Sequence, residues 1–236
     1  MDTLYYNINI HGKQYSMNKY SRKISMKIID LTHDIKNGMM IFPGDPEIAI
    51  LEGLIHDRDY CHVDKLHLNS HTGTHIDAPF HFLPEGKTIT DYPAEKFVLN
   101  GIAINLRHKQ EDEPIAAEDL QAANLSAGCA AALVTGWYRY FGTEKYLHHP
   151  YLAKDAAEYL VAKGVSVVAV DFLNVDQTLV EAWDAHPVLL GADTLIVENL
   201  NNADALDFEK TYCFSFLPLK VLGTDGSPIR AIAIEG

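Results

Sequence analysis

The segment from His71 to Phe82, which reads HTGTHIDAPFHF, constrains this chain more than any other. It brings three histidines and one aspartate, all common metal ligands, into one short stretch. Two ligands of one ion lie within about 4 Å of each other, whereas a fully extended chain would separate His71 from His81 by roughly 33 Å. The chain must therefore turn back on itself. Gly73 can adopt backbone angles that other residues avoid, and Pro79 ends any helix begun before it.

Three side chains of this segment can converge on one point. His71 and His75 lie on one side of either a helical turn or a strand, while His75 and Asp77 share a face only if the chain is extended. A histidine outside such a cluster is more often hydrogen-bonded or solvated than a ligand. We assign that ordinary role to His11, His33, His56, His62, His67, His108, His148 and His149. The density of imidazoles up to His81 favours a bound ion instead.

A second candidate pair, His186 and Glu198, lies in the C-terminal half of the chain. Glu198 follows an apolar run that is typical of a buried strand, and a buried glutamate is costly unless it is paired or coordinated. A metal ion would supply that partner, and so would an arginine or a nearby helix terminus. The spacing alone leaves these alternatives open.

The acidic composition restricts the partners of the protein. The 236 residues include 19 basic and 32 acidic side chains, and the resulting net charge of -13 opposes a nucleic-acid partner. The three cysteines are widely spaced without a CxxC pair, which argues against a disulfide framework and against a thiolate zinc site. No apolar run approaches the ~20 residues of a membrane span, and the N-terminus lacks the hydrophobic region of a secretion signal. We therefore expect a cytoplasmic protein with neither nucleic-acid nor membrane partners.

Residues 1–25 differ from the remainder of the chain. They are basic and rich in Tyr, Asn, Lys and Ser, and Met26 stands directly before a strand-like apolar run. We interpret residues 1–25 as a flexible extension or as sequence upstream of the natural start. With 47% hydrophobic residues, the chain can bury a substantial core, and residues 26–236 are predicted to form a single domain.

The sequence pattern changes along this domain from mainly β to alternating helix and strand. Helices are predicted at 116–123, at 151–163 and up to 190, and they precede strands at 130–135, 165–170 and 194–197. Gly164 and Gly191 stand at two of the predicted helix ends. Such units return to one sheet by right-handed crossovers, so they predict a mixed α/β fold. Asp171 and Glu198 then fall at the carboxyl ends of strands, where α/β sheets bind ligands.

The ligand types narrow the chemistry. Imidazoles and carboxylates without thiolates suit zinc or manganese, and iron(II) is a third candidate. A catalytic site leaves one position open, where the ion lowers the pKa of bound water to about 7 and polarises a carbonyl. His81, beyond Pro79, is placed to act as a general acid and base because the pKa of imidazole lies near working pH. The sequence contains no GxSxG, GxxxxGK[ST] or GxGxxG, which removes the α/β-hydrolase and simple nucleotide-binding interpretations.

Two other classes of protein remain as alternatives. His75, Asp77 and His186 match the HxD…H pattern of non-haem iron(II) oxygenases. The usual fold of those enzymes is all-β, in conflict with the predicted helices, and Glu198 would have no role there. The second alternative is a non-catalytic metal-binding protein, in which the site would be closed to water.

The segment also resembles the HxGTHxDxPxH signature of the metal-dependent cyclase family, which includes bacterial kynurenine formamidase and isatin hydrolase. The similarity extends from about residue 28 to near the C-terminus. It includes Asp30–Thr32, Phe42–Asp45, Thr135–Trp137, Pro150–Leu152, His186–Leu190 and Glu198–Leu200.

The resemblance implies a swivelling β/β/α fold with a mixed sheet, and a homodimer or higher homo-oligomer. It implies that His81 acts as proton shuttle and that one or two Zn2+ or Mn2+ ions bind per subunit. The ligands that it implies are His71, His75, Asp77, His186 and Glu198. The activity that it implies is hydrolysis of a non-peptide C–N bond in a small molecule. The leading candidate is the arylformamidase reaction of tryptophan catabolism, from N-formylkynurenine to kynurenine and formate, and an isatin-type cyclic amide is the alternative.

Two positions depart from the kynurenine formamidase branch of that family. Phe42 stands where that branch carries tryptophan before the Pro-Gly-Asp turn, and Thr74 stands where it carries alanine. Phe42 keeps an aromatic face on which an aryl substrate could stack, so it is our candidate substrate-binding residue. Ordinary packing beside a turn explains Phe42 equally well. These departures affect the choice of substrate and leave the hydrolytic chemistry unchanged.

Overall fold

The computed structural model describes residues 6–10, 13–17, 26–180 and 183–235. The strands are β1 (Tyr6–Ile10), β2 (Lys13–Met17), β3 (Lys27–Asp30), β4 (Ala49–Leu54), β5 (Val63–His67), β6 (His75–Asp77), β7 (Val98–Asn105), β8 (Pro114–Ile115), β9 (Ala130–Val134), β10 (Tyr151–Leu152), β11 (Val167–Val170), β12 (Leu195–Glu198), β13 (Thr211–Ser215), β14 (Gly226–Pro228) and β15 (Ile232–Glu235). The helices are α1 (His56–Asp59), α2 (Ala117–Leu120), α3 (Lys154–Ala162) and α4 (Ala185–Gly191). Short 3-10 helices occupy Pro79–His81, Ile89–Asp91, Ala94–Phe97, Trp137–Tyr140, Glu144–His148 and Ala203–Ala205.

The hypothesis about residues 1–25 concerns positions that lie largely outside the described ranges. Of that segment the structure describes β1 and β2, which pair antiparallel with each other. None of the helices in the described ranges combines the length and the hydrophobicity needed to cross a membrane.

Nine strands of the described chain form one mixed sheet. Their order is β14-β6-β12-β11-β9-β7-β13-β15-β3. The four central strands, β12, β11, β9 and β7, are parallel, and the strands on either side pair antiparallel. Every residue of β9, β11 and β12 is buried, which is why these strands read as continuous apolar runs rather than as an alternating pattern.

The helices α2, α3 and α4 lie in the connections between these parallel strands, as the helix–strand alternation predicts. The mixed α/β prediction is thus confirmed, although the helices are shorter than predicted. Gly164 follows α3 with a φ of +72°, a left-handed angle that glycine adopts at low cost. The helix α4 ends at Gly191, as predicted. The left-handed residue after α4 is Asp193, with a φ of +64°.

Two hydrophobic core clusters cover opposite faces of the central strands, because successive side chains of a strand point to opposite sides. Leu133, Val168 and Ile196 belong to the cluster under the helices, together with Leu160 and Leu189. Their neighbours Ala132, Ala169 and Val197 belong to the other cluster, together with Ile76 of β6. Since Ile76 points into that second cluster, its neighbours in β6 face the helical side. The alternation therefore turns His75 and Asp77 toward α4.

Gly101 of β7 lies where a side chain would collide with the neighbouring parallel strand. A Cβ at this position would lie 2.3 Å from the carbonyl oxygen of Ala130 in β9. We predict that Gly101→Ala lowers the free energy of unfolding by about 1–3 kcal/mol, the usual cost of overpacking, as measured by urea denaturation.

Gly191→Ala is the matched control for this prediction. Apart from its own helix, no atom of the described residues lies within 4 Å of a Cβ at Gly191, and alanine is the better helix former. Its free energy of unfolding should be unchanged or slightly raised. Equal losses in the two variants would contradict the proposed collision in the sheet.

Candidate metal centre

The strand β6 carries two of the predicted ligands between two strands that complete the site. It pairs antiparallel with β12, where Glu198 lies opposite His75, and with β14 on its other side. His75 and Glu198 thus share one face of the sheet. His71 precedes β6 by a turn in which Gly73 has a φ of +63°, which brings His71 back over the same face.

His186 approaches the same point from α4. It is held by Asp176, whose carboxylate accepts hydrogen bonds from the backbone N–H groups of Asp184, Ala185 and His186. The same carboxylate contacts His186 Nδ1 at 2.6 Å. Asp176 therefore caps the helix and orients the imidazole at once, while the side chain of Asp184, the residue at the N-cap, makes no capping bond.

The carboxylate of Asp77 lies at the middle of the cluster and is fully buried. Its Oδ1 is 2.9 Å from His71 Nδ1 and 3.3 Å from His75 Nε2, and its Oδ2 is 3.9 Å from His186 Nε2. The Glu198 carboxylate closes the group, 3.4 Å from His75 Nε2 and 3.3 Å from His186 Nε2. The structure thus brings all five predicted ligands together.

The orientation of these atoms fits a cation better than a hydrogen-bond network. Despite the short distances, both oxygens of Asp77 and the Nε2 atom of His75 are buried without a hydrogen-bond partner among the described residues. Buried polar groups rarely lack a partner, and coordination of a cation would satisfy all three atoms. Ligand atoms that point toward a common centre, and not at each other, are what a coordination site requires.

The outer nitrogen of each histidine supports the same interpretation. Each faces an oxygen that can only accept a hydrogen bond, so each must carry the ring proton. These contacts are His71 Nε2 to Asp225 at 2.9 Å, His75 Nδ1 to the Gly73 carbonyl at 2.9 Å and His186 Nδ1 to Asp176 at 2.6 Å. The inner nitrogens then present lone pairs to the centre, as in metal sites whose ligating histidines are oriented by outer carboxylates or carbonyls.

The pKa shifts show how the cluster balances its charge without an ion. Burial alone would lower the pKa of each histidine, but the neighbouring carboxylates outweigh it. The pKa of His71, beside Asp77, rises to about 9, and that of His186, beside Asp176, also rises to about 9. The pKa of His75 lies well above its ordinary value and that of Asp77 well below. Protons on the inner nitrogens thus take the place that a cation would otherwise fill.

His81 lies beside the cluster, at the end of the 3-10 helix that begins at Pro79. Its ring centroid is 4.1 Å from that of His71, and its Nδ1 is 3.2 Å from Asp225 Oδ2. The side chain of His81 is partly exposed. It lines the cavity above the cluster.

That cavity has a volume of about 240 Å³ and an aromatic wall. Phe42, the candidate substrate-binding residue, lines this cavity, with its ring centroid 5.6 Å from that of Trp183. Phe82 stacks on the imidazole of His186 at 4.5 Å and an interplanar angle of 16°. One side of the cavity is therefore polar and is formed by predicted ligands, and the other side is apolar and aromatic.

Sequence reasoning missed Asp176, Asp225, Phe82 and Trp183. The carboxylates have no local signal, because Asp176 stands ten residues before His186 and Asp225 contacts His71 across 154 residues of sequence. Thr74, which stands where the kynurenine formamidase branch carries alanine, is buried and connects two other segments of the chain by hydrogen bonds. Its hydroxyl donates to the Asn199 carbonyl at 2.6 Å and accepts from the His33 N–H at 2.9 Å.

Asp171, the other strand-end carboxylate, lies apart from the metal-binding cluster. It accepts hydrogen bonds from the backbone N–H of Thr135 at 2.9 Å and of Gly136 at 2.6 Å, which fixes the end of β9. Burial raises its pKa to about 6. Among the histidines assigned ordinary roles, His33 and His149 are buried, and neither belongs to a ligand group within the described residues.

Comparison with known proteins places this arrangement in a family. The sequence model of the family described as putative cyclase matches residues 29–177. A kynurenine formamidase from Bacillus cereus is 30% identical over 206 residues, which cover 86% of this chain and 95% of that protein. An uncharacterised protein of Methanocaldococcus jannaschii is 30% identical over 213 residues, which cover 89% of this chain and all of that protein.

Solved structures of related proteins have the same fold as this chain. One described as a potential metal-dependent hydrolase with cyclase activity has a TM-score of 0.77 at 26% identity and covers 89% of this chain and 98% of its own. Isatin hydrolase A from Ralstonia solanacearum has a TM-score of 0.81 at 23% identity and covers 90% and 93%, which shows a shared fold. The chain belongs to the putative cyclase family, and the resemblance found in its sequence is confirmed.

The raised histidine pKa values predict how the stability of the metal-free protein depends on pH. The unfolded chain releases its histidine protons near pH 6.5, whereas His71 and His186 retain theirs up to about pH 9 in the folded state. The stability that they contribute is therefore complete below pH 6.5 and is lost as the pH rises to about 9. Chelator-treated protein should show a falling melting temperature over this range.

The double variant His71→Gln/His186→Gln is the control, since it lacks both shifted groups. Its melting temperature should depend less on pH between 6.5 and 9 than that of the parent. A parent protein whose stability is flat or rising over this interval would show that the carboxylates do not hold these protons.

Proposed function

We propose that this protein is a metal-dependent hydrolase that cleaves the C–N bond of a small aryl formamide. The observation that carries the proposal is the set of lone pairs on Asp77 and His75 that have no hydrogen-bond partner among the described residues. They lie in the cluster whose members His71, His75, His186 and Glu198 line an aromatic-walled cavity. An aryl formamide has a polar formyl group and an apolar ring. The polar centre can bind a cation that contacts the formyl group, and the apolar wall can bind the ring. The relation to kynurenine formamidases supports the same activity.

The residues that would hold the ion are His71, His75, Asp77, His186 and Glu198. Imidazole and carboxylate donors without thiolates suit Zn2+ or Mn2+, and these five residues would hold one or two ions per subunit. When bound, such an ion lowers the pKa of water and withdraws electron density from a substrate carbonyl.

The reaction also requires a group that transfers a proton to the leaving nitrogen. Hydrolysis of a formamide adds water to the formyl carbon and breaks the C–N bond, and the departing nitrogen needs a proton to leave as an amine. We assign the transfer to His81, which lines the cavity beside the ligand cluster. Its imidazole accepts a proton from the attacking water and passes it to the nitrogen, so that formic acid and a neutral amine are formed, and the acid then gives its own proton to solvent and leaves as formate.

The aromatic wall selects the organic part of the substrate. Phe42 and Trp183 face the cavity with their ring centroids 5.6 Å apart, and aromatic side chains bind flat rings by stacking. N-formylkynurenine is our leading substrate, which would place the enzyme in tryptophan catabolism. A cyclic aryl amide of the isatin type is the second candidate, since it also has an aromatic ring and a hydrolysable amide C–N bond.

The oxygenase and non-catalytic alternatives are less consistent with this site. An HxD…H triad uses three ligands, whereas here His71 and Glu198 also point into the centre. A site built only to hold an ion would be closed, whereas this cluster forms the floor of an open cavity.

A substrate panel tests the proposed function directly. Purified protein loaded with Zn2+ or Mn2+ should hydrolyse N-formylkynurenine, followed by formate release, and should act more slowly on isatin and on simple lactams. Oxygen uptake with iron(II) and a keto acid should be absent. If isatin is turned over much faster than N-formylkynurenine, the cyclic amide becomes the substrate class, and inactivity on the whole panel would refute the hydrolase proposal.

Two variants separate metal binding from proton transfer. Asp77→Ala should lose both metal and activity, because it removes the central carboxylate. His81→Ala should retain metal by elemental analysis yet lose about 10²–10⁴-fold in kcat, the usual contribution of a general acid–base group. Full activity of His81→Ala would remove it from the mechanism.

We also propose that the chain forms a homodimer through the hairpin of β4 and β5. These strands pair only with each other within the described residues, and an isolated two-stranded hairpin is marginally stable in water. The cross-strand register puts Leu51, Leu54 and Val63 on one face, together with Lys65 opposite Leu51. The three apolar side chains are 46%, 40% and 49% exposed. A second copy of the chain would cover these apolar side chains.

Leu51→Glu tests the dimer, since it would bury a charge in the interface. We expect the mass from light scattering to fall from that of two subunits to that of one at micromolar protein. Glu52→Gln on the opposite face is the control and should leave the mass unchanged. A parent protein that is monomeric at this concentration would exclude the proposal.

A further inference from the structure

Asp225 joins two residues of the site that would otherwise be independent. A single oxygen, Oδ2, lies 2.9 Å from His71 Nε2 and 3.2 Å from His81 Nδ1. His71 is a proposed ligand and His81 the proposed proton carrier. Asp225 itself belongs to neither group as assigned above.

The contacts with Asp225 fix which nitrogen of each ring carries the proton. An ionised carboxylate only accepts hydrogen bonds, so both ring nitrogens that face it must be N–H donors. In neutral His81 the other nitrogen, Nε2, then holds the lone pair. No residue of the described chain forms a hydrogen bond with that nitrogen, which leaves it available to water and substrate.

We infer that Asp225 is the positioning residue of the proton carrier. It holds His81 in the Nδ1–H tautomer and ties its ring to His71, so that Nε2 stays at a fixed place relative to the metal centre. Asp225 would act on His81 as the aspartate of a serine-protease triad acts on its histidine, by holding the imidazole in one tautomer and orientation. This inference rests on the proposed hydrolase function.

The alternative that Asp225, His71 and His81 bind a separate cation is weaker. The three residues are close enough to do so, but His71 would have to offer one nitrogen to each of two ions. A neutral imidazole has only one lone pair, and His71 Nδ1 already faces Asp77 at 2.9 Å. A hydrogen-bonded link uses both nitrogens of His71 without that conflict.

The backbone around Asp225 supports a fixed position. Its carbonyl accepts a hydrogen bond from the Ala78 N–H at 2.8 Å, directly after β6. The next residue, Gly226, pairs with Asp77, and a Cβ there would lie 2.9 Å from the Ile76 carbonyl oxygen and 3.1 Å from His71 Cε1. Only glycine allows this approach, so Asp225 is held against the strand that carries the ligands.

The test compares two substrates in the metal-loaded enzyme. An aryl formamide needs a proton on its leaving nitrogen, whereas an aryl formate ester with a nitro-substituted leaving group departs without one. We expect Asp225→Asn to lower kcat on the formamide by about 10–100-fold, the usual effect of losing an outer-shell partner. The KM for the formamide and the turnover of the ester should change much less.

Asp176→Asn is the matched control, because it removes a carboxylate from a histidine that has no part in proton transfer. It should lower metal content and reduce turnover of both substrates together. Because Asp225 also orients the proposed ligand His71, metal content is measured by elemental analysis in each variant, and kcat is compared per bound ion. In a His81→Ala background, Asp225→Asn should cause no further loss, since residues that act as a unit are not additive.

A readout independent of activity is the tautomer of His81, measured from imidazole ¹⁵N shifts in the Zn2+-loaded protein. The parent should show Nδ1–H, and Asp225→Asn should lose this preference. Equal losses per bound ion on the formamide and the ester, or a further loss without His81, would each overturn the inference. If the parent hydrolyses neither substrate, the proposed function fails, and the tautomer measurement still decides whether Asp225 positions His81.

Discussion

The buried carboxylate of Asp77 is the constraint around which the rest of the molecule is arranged. Neither of its oxygens has a hydrogen-bond partner among the described residues, and a bare buried charge is too costly to persist. Positive charge must therefore gather around it, either as protons on the surrounding imidazoles or as a bound cation. The sheet, the helix α4 and the turn at Gly73 all serve to bring those imidazoles to the same point.

Acceptors behind the histidines are as important as the histidines themselves. Asp176, the Gly73 carbonyl and Asp225 each take the outer ring proton of one imidazole, which leaves the inner lone pair free. Asp176 also satisfies the first N–H groups of α4, so the start of the helix and the direction of its histidine are set by one carboxylate. Replacing Asp176 would therefore disturb both the start of α4 and the orientation of the proposed ligand His186.

The parts of this site that the sequence could predict are the local ones. His71, His75 and Asp77 lie so close in the chain that only a few geometries exist for them, and an extended β6 is one of these. The contact of Asp225 with His71 spans 154 residues, so it depends on how β14 returns to the sheet, which no short pattern encodes. The end of α4 at Gly191 could also be predicted from the sequence, but the left-handed residue that follows the helix is Asp193 and not a glycine.

The metal-binding side chains and the cavity wall rest on different kinds of support. His75, Asp77 and Glu198 lie on strands inside the sheet, where a shift of one residue would turn them to the wrong face. Phe42 and Trp183 lie on irregular segments between elements, which tolerate substitution and insertion. A lineage built on this framework can exchange the aromatic residues that touch the organic group while the hydrolytic centre stays intact, so new substrates become accessible without reinventing the reaction.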